Sequence, residues 1–433
     1  LRLADIDGSG TTDIIYLHRH GVRLFFNQSG NSWSQPHQLK VFPRVDEVVS
    51  IVPTDLLGNG TACLVWSSPL PGDARRPMRY LNLMGGQKPH LLFKTINNLG
   101  AETRVDYAPS TKFYLQDKRD GTPWITRLPF PVHVVERVHT YDHISRNRFV
   151  TRYAYHHGYF DGDEREFRGF GMVEQWDTEQ FAALTAAGAL PADNIDTASH
   201  VPPVHTKTWF HTGAHLGRDR VSRQFENEYF LEPGLTVDTA RPLLLDDTVV
   251  PPRLTLEEER EACRALKGSM LRQEVYAVDG SSKARYPYTV TEQNFDIRAV
   301  QPRGSNRHGS FFTHAREAIS YHYERNPADP RIQHAMTLEV DAYGNVLKQA
   351  AIGYGRRETI RVVDAQGQVQ EVPNLGLNDL PNDDQPKQRS ALLTYTENRL
   401  TNAIESADTH RNPLPCEAIT FELTGYTASG LAG

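Results

Sequence analysis

Three clusters in this chain carry residue types that can do chemistry. The first is Asp5-Ile6-Asp7-Gly8-Ser9-Gly10-Thr11-Thr12-Asp13. It sets oxygen-bearing side chains at Asp5, Asp7, Ser9 and Asp13 as positions 1, 3, 5 and 9 of a loop, with the carbonyl of Thr11 available at position 7. Hard oxygen donors in that number suit Ca²⁺, and the glycines permit the tight turn. An Asx-rich turn without metal is the competing reading. In either case the loop is a staple and not a reaction centre.

The second cluster is Asp161, Asp163, Glu164 and Glu166. Paired carboxylates could serve a glycosidase or a metal, but no other acidic cluster is tied to this one by spacing. Arg165 and Arg168 stand among the acids, which reads as a hairpin turn laced with ion pairs. The third is His205, His211 and His215, spaced six and four apart. Helical metal ligation would need an amphipathic helix there, whereas Trp209-Phe210-His211-Thr212-Gly213 reads as strand and turn. No GxSxG, HExxH, phosphate-binding glycine loop or nucleotide fingerprint occurs, so no catalytic or cofactor-binding residue is assigned.

The elements that must position these clusters are mostly strands. Leu3 to Leu17 and Pro53 to Trp66 are related units: aligning Asp5 with Asp55 pairs Gly8 with Gly58, Gly10 with Gly60 and Thr11 with Thr61, an offset of 50 residues. That period suits a blade of a β-propeller or a similar β-repeat. In the second copy Leu57 and Cys63 replace two of the oxygen ligands, so it is not expected to bind metal. Pro69-Leu70-Pro71-Gly72-Asp73 reads as the exit from this region.

From about Tyr80 to Trp176 the pattern remains β, with strands on either side of a turn at Asp142 to Asn147. Tyr155 to Val173 (YHHGYFDGDEREFRGFGMV) reads as a hairpin in a tightly curved sheet, where glycines let rings and backbones approach. A short helix is expected near Glu179 to Ala187, then a Pro-bearing loop over 189–204. Thr255-Leu256-Glu257-Glu258 is a capping box, predicting a helix through Leu266 that Gly268 stops. Asp341-Ala-Tyr-Gly-Asn-Val346 and Asp364-Ala-Gln-Gly-Gln-Val369 repeat one hairpin turn 23 residues apart. Residues 373–389 read as a loop.

Composition bounds the function. With 39% hydrophobic and 23% charged residues over 433 positions the chain is globular and long enough for several domains. A net charge of −6 gives no case for a nucleic-acid surface, and no run has the roughly 18 apolar residues of a membrane helix. Cys63, Cys263 and Cys416 lie far apart, which argues against a disulfide framework or a zinc site. Leu1 falls inside a strand pattern with no initiator Met, so a piece of a longer protein is expected.

Seven blocks occur in a fixed order: TINNLGAETRVDY (Thr95–Tyr107), WITRLPFPVHVVERV (Trp124–Val138), DEREFRGFG (Asp163–Gly171), KTWFHTG (Lys207–Gly213), ALKGSMLRQEVYAVDG (Ala265–Gly280), YHYERNPADPRIQH (Tyr321–His334) and TLEVDAYGNVLKQAAIGYGRR (Thr337–Arg357). In this order they resemble the middle region of the B component of bacterial toxin complexes, a region shared with virulence-plasmid B proteins and Rhs-type proteins. The twin Asp-Ala-x-Gly-x-Val turns resemble YD repeats, and the Asp5 loop resembles the calcium loops of FG-GAP/VCBS repeats.

The resemblance implies a mostly β fold: the end of a propeller-like FG-GAP/VCBS domain over 1–85, a middle/N-terminal region over 86–250, and a middle/C-terminal region with YD-like hairpins over 251–433. It also implies a secreted, non-catalytic wall segment of a hollow shell. Its partners would be a Rhs-type C component carrying the toxic segment and a pore-forming A component. Two other classes stay open: a calcium-stabilised adhesion module resting on Asp5, Asp7, Ser9, Thr11 and Asp13, and an enzyme resting on Asp161 to Glu166.

Overall fold

The computed structural model describes residues 1–85, 88–179, 184, 192–196, 200–364 and 368–426. It divides into two compact units. The first comprises Leu1–Gly158 and Leu184–Ser199, the second Tyr159–Ala183 and His200–Gly433.

The first unit opens with two small antiparallel meanders. Strands β1 (Arg2–Ala4), β2 (Asp13–His18), β3 (Gly21–Phe25) and β4 (His37–Gln38) form one, and β5 (Ser50–Thr54), β6 (Cys63–Ser67) and β7 (Met78–Asn82) form the other. Their registers obey the repeat seen in the sequence: Ala4 faces Asp13 in one, and Thr54 faces Cys63 in the other. Alternation puts Ile15, Val22 and Leu24 on the buried face, where they meet Ile6 and Leu64 in one apolar cluster.

The unit continues with β8 (Lys94–Ile96), β9 (Ala101–Pro109), β10 (His133–Asp142) and β11 (Asn147–Asp161), antiparallel in chain order from β8 to β11. The expectation of unbroken β from Tyr80 to Trp176 fails at Ser110–Asp120, which is an α-helix. Its apolar signal is weak, because Phe113 is the one large apolar side chain it buries. The stop signal was readable: Gly121 takes φ 82 at the C-terminus with Lys118 and Arg119 in the last turn.

The second unit is a long antiparallel meander. It runs β12 (Glu166–Trp176), β13 (Val204–Phe210), β14 (Met270–Ala277), β15 (Thr289–Gln301), β16 (Ser310–His322), β17 (Arg331–Val340) and β18 (Val346–Gly353), each beside its predecessor. The chain leaves for a separate hairpin, β19 (Thr359–Val363) and β20 (Val369–Pro373), and returns to the sheet as β21 (Leu392–Leu400). A second separate hairpin, β22 (Ile404–Glu405) with β23 (His410–Arg411), precedes β24 (Pro415–Leu423), which pairs with β21. The two repeated turns therefore part company. Asp341 links β17 to β18 inside the sheet, while Asp364 begins the turn of the detached β19–β20 pair. In both the Asp N–H donates to the carbonyl four residues on, and its carboxylate accepts the N–H of that residue. The turn residues 365–367 lie outside the described residues.

Burial is uneven along the meander. The excursion between β13 and β14 folds back on the sheet, so that Val221, Phe225, Tyr229, Ala262, Cys263 and Leu266 pack on Trp209, Leu271 and Phe295. By β24 almost every residue is exposed. The excursion contains the expected helix, at Leu256–Arg264, capped by the reciprocal Thr255–Glu258 box. The helix expected near Glu179–Ala187, apart from Glu179 and Leu184, and residues 189–191 and 197–199 of the loop over 189–204 fall outside the described residues. The loop over 373–389 contains two short helical turns, Leu375–Asn378 and Gln385–Arg389.

Replacing Thr255 by Ala removes the hydroxyl that accepts the Glu258 N–H at 3.3 Å. A loss of about 1 kcal/mol in urea unfolding is expected, with Thr255→Ser close to the parent.

Candidate functional site

The acidic loop of the first unit forms as a set of side-chain-to-backbone bonds. Asp5 accepts from the N–H groups of Gly8 (2.8 Å) and Gly10 (2.9 Å), and Asp7 from that of Ser9 (3.0 Å). Asp13 is fully buried, and its two oxygens take the N–H of Ile6 (2.9 Å) and of Asn27 (2.8 Å). Gly8 and Gly10 at φ 73 and 84 make the return possible. The result brings one carboxylate oxygen each from Asp5, Asp7 and Asp13 within 4.8 Å of one another, the one such cluster of three among the described residues. Ser9 and Thr11 point their hydroxyls at each other, 2.8 Å apart. The donor set is hard oxygen throughout and fits a cation such as Ca²⁺. In the second copy Asp55 caps Asn59 and Gly60 as Asp5 caps its loop, while Cys63 is fully buried.

The acidic cluster of the second unit is spent on ion pairs. Arg168 on β12 is buried, with 3% of its side chain exposed, and it bonds Asp161 (3.0 Å) and Glu166 (3.2 Å). Asp161 also accepts the N–H groups of Asp163 and Glu164, both at 3.0 Å. Burial alone would raise the Asp161 carboxyl. The Glu164 N–H and the charges of Arg168 and Arg260 outweigh it and hold the group below the usual carboxylate range. The helix Leu256–Arg264 supplies the outer partners. Arg260 bonds Asp163 and Arg264 lies 3.5 Å from Glu166, while Lys267, just past the helix, bonds Glu166 at 2.8 Å. Arg165 takes no part in these pairs; it sits at φ 54 in the turn. Phe167 and Phe170 meet edge to face, 5.6 Å between ring centres. Each acid of the cluster is thus held by a cation.

A third charged centre has no counterpart in the sequence reading. Arg272 on β14 lies between Glu274 (2.7 Å) and Glu292 of β15 (2.9 Å), with 5%, 1% and 8% of the three side chains exposed. The acids also accept from the covering segment: the Phe230 N–H bonds Glu274 at 2.8 Å and the Leu245 N–H bonds Glu292 at 2.9 Å. Tyr276 donates to Glu274 at 2.6 Å, and the Tyr229 ring lies 4.6 Å from the guanidinium. Two acids share one buried cation, so burial wins at Glu292 and its carboxyl is raised. Residues two apart on one strand face, here Arg272 and Glu274, were the available signal.

The histidines do not converge. His205 stacks on Trp176 with ring centres 4.3 Å apart and lies 3.3 Å from Glu174. His215 lies 3.4 Å from Glu259, and His211 is fully buried.

Residues 27–213 match the family described as "Insecticide toxin TcdB middle/N-terminal region", and residues 261–412 match its "middle/C-terminal region". The chain belongs to the TcdB insecticide toxin family. Solved structures agree. "Crystal Structure of TcdB2-TccC3-Cdc42" matches at 30% identity and TM-score 0.77, over 99% of this chain and 20% of that one. "Crystal Structure of TcdB2-TccC3" matches at 31% identity and TM-score 0.74, over 99% and 20%. "Structure of Photorhabdus luminescens Tc holotoxin pore, Mutation TccC3-D651A" matches at 29% identity and TM-score 0.74, over 99% and 19%. This TcdB-type chain thus spans about a fifth of the length of those proteins. Comparison with the curated proteins gives no match.

Arg168→Gln leaves Asp161 buried without its nearest cation, and a loss of about 3 kcal/mol or more in urea unfolding is expected. The double variant Arg168→Gln/Asp161→Asn should lose clearly less than the two single losses added together.

Proposed function

We propose that this chain is a non-catalytic wall segment of a secreted toxin-complex B component, which encloses and helps deliver a toxic segment supplied by a C component. The observation that carries the reading is the continuous antiparallel meander of the second unit, within a chain that superposes over 99% of its length on TcdB2 solved with TccC3. A meander of this kind suits a wall. Each strand covers its predecessor's edge, and β24 offers its outer edge to whatever chain follows. The cation-saturated state of Asp161, Asp163, Glu164 and Glu166 supports a structural role for the hairpin. By the same reading the docking partner of the assembled protein is the pore-forming A component, and the small meanders over 1–85 are the end of a propeller-like domain. The full-length protein co-expressed with a C component should co-purify with it. Residues of β17 and β18 should resist protease in the complex. Failure to co-purify, or equal cleavage of those strands with and without the C component, would overturn the wall reading.

The carboxylate trio at Asp5, Asp7 and Asp13 supports a calcium staple in the first unit, with Ser9 and Thr11 as further oxygen donors. Such an ion would hold the β1–β2 connection and supply no chemistry. Calorimetric titration of metal-stripped protein should show one calcium site that Asp7→Ala removes. At a hundredfold excess of Ca²⁺ over its dissociation constant, stability should rise by about 2.7 kcal/mol. Absence of calcium heat would end this proposal and leave the wall reading standing.

A further inference from the structure

His211 follows β13 and is fully buried in the second unit. Its backbone is tied on both sides to the segment after the helix: its N–H donates to the Ser269 carbonyl (2.9 Å), and its carbonyl accepts the Gly268 N–H (2.8 Å). Its imidazole Nδ1 accepts the N–H of Gly213 at 2.9 Å, and Nε2 faces the Gln224 amide at 3.2 Å. Gly213 sits at φ 78, in the left-handed region, and its carbonyl accepts from Arg168 Nη1 at 3.0 Å. The ring is thereby one residue removed from the guanidinium that holds Asp161 and Glu166. The turn has little room to shift, because a Cβ on Gly213 would stand 3.2 Å from Arg264 Cα.

We propose that His211 is an acid-released latch on the charged hairpin: its neutral ring holds the turn that caps Arg168, and protonation frees that turn and loosens the Asp161–Glu166 network. The reason is the count of donors. A neutral ring with a bare Nδ1 accepts the Gly213 N–H, whereas an imidazolium carries N–H on both nitrogens. Two N–H groups would then confront each other at the 2.9 Å now spanned by a hydrogen bond. The turn must open, and the Gly213 carbonyl moves off Arg168.

Charged groups of both signs stand around the turn. Arg168, Arg264 and Lys267 all lie against Gly213. On the covering loop, His215 lies beside Glu259, Arg223 is bonded to the Leu245 carbonyl, and Asp247 accepts from Val221 (2.8 Å) and Ser222 (2.5 Å). Burial pushes the His211 pKa from 6.5 down to about 4, with a backbone hydrogen bond at Val221 offsetting part of it. A depressed histidine contributes its full stabilisation above its open-state pKa, and that contribution is lost as pH falls from 6.5 towards 4. Lys267 foremost holds the Glu166 carboxyl below its ordinary range, and Asp161 is lowered as well. Asp161 and Glu166 therefore hold their charge to lower pH than ordinary carboxylates.

The test is hydrogen exchange by mass spectrometry on the full-length protein at pH 7 and 4.5, corrected for intrinsic rates, following peptides over 159–170 and 211–225 with the strand Thr289–Gln301 as control. The expected result is a rise of about 60-fold in opening of the two peptides at pH 4.5, with the control strand still protected. His211→Asn, whose side-chain oxygen can accept the Gly213 N–H at any pH, should abolish the rise, and His215→Asn should retain it. Unchanged protection in the parent protein overturns the proposal, as does an equal rise in His211→Asn. If His211→Asn does not fold, the parent decides: simultaneous loss in the control strand means global acid unfolding and overturns the latch, and selective loss supports it.

Discussion

The second unit depends on one buried guanidinium. Arg272 lies on the sheet face that the excursion between β13 and β14 must cover, and it stands between Glu274 and Glu292 with almost no water. Removing three charges from water costs several kcal/mol per ion, so such a centre persists only where every remaining lone pair is satisfied. Here the satisfaction comes from outside the sheet, through the N–H groups of Phe230 and Leu245. The same bonds that make the charges tolerable therefore fix where the covering segment crosses the strands. Trp209, Tyr229 and Leu271 pack together beneath this cover.

Arg168 repeats this logic at the hairpin. Its partners Asp161 and Glu166 belong to the turn region, Gly213 to the covering loop, and Arg260, Arg264 and Lys267 bring in the helix and its end. Buried charges of this kind add little net stability over an apolar core, but they penalise any other arrangement heavily. That suits a protein whose strands must be placed in a set order. Towards β24 the strands stand exposed.

Much of this was legible in the sequence, and the legible part is local. The 50-residue repeat fixed the register relation of the two small meanders, since Asp5 and Asp55 cap their loops by the same side-chain-to-backbone bonds. The Thr255–Glu258 box marked the helix start within one residue. Seven ordered blocks carried the family, which the matches over 27–213 and 261–412 bear out. The helix Ser110–Asp120 was missed because its stabilising contacts are tertiary: Phe113 packs edge to face on Tyr155, and Asp117 takes hydrogen bonds from Trp124 and His156. None of these partners lies within the helix's own window of sequence.

Side-chain spacing, turn chemistry and caps act over a few residues, and these the sequence determined by itself: the β-rich class, the acidic loop at Asp5 to Asp13, the hairpin at Asp161 and the capped helix. Tertiary structure alone decided what the acids are for. Asp161, Asp163, Glu164 and Glu166 read from the sequence as a turn paired with neighbouring arginines, but only the fold shows that Arg260, Arg264 and Lys267, about a hundred residues away, are the cations brought against them. His211 read only as part of a strand and turn, and it was the fold that sealed it from water and turned Gly213 towards it. A charge or a proton-binding nitrogen takes its character from its neighbours and its dielectric, and a linear chain does not yet possess either.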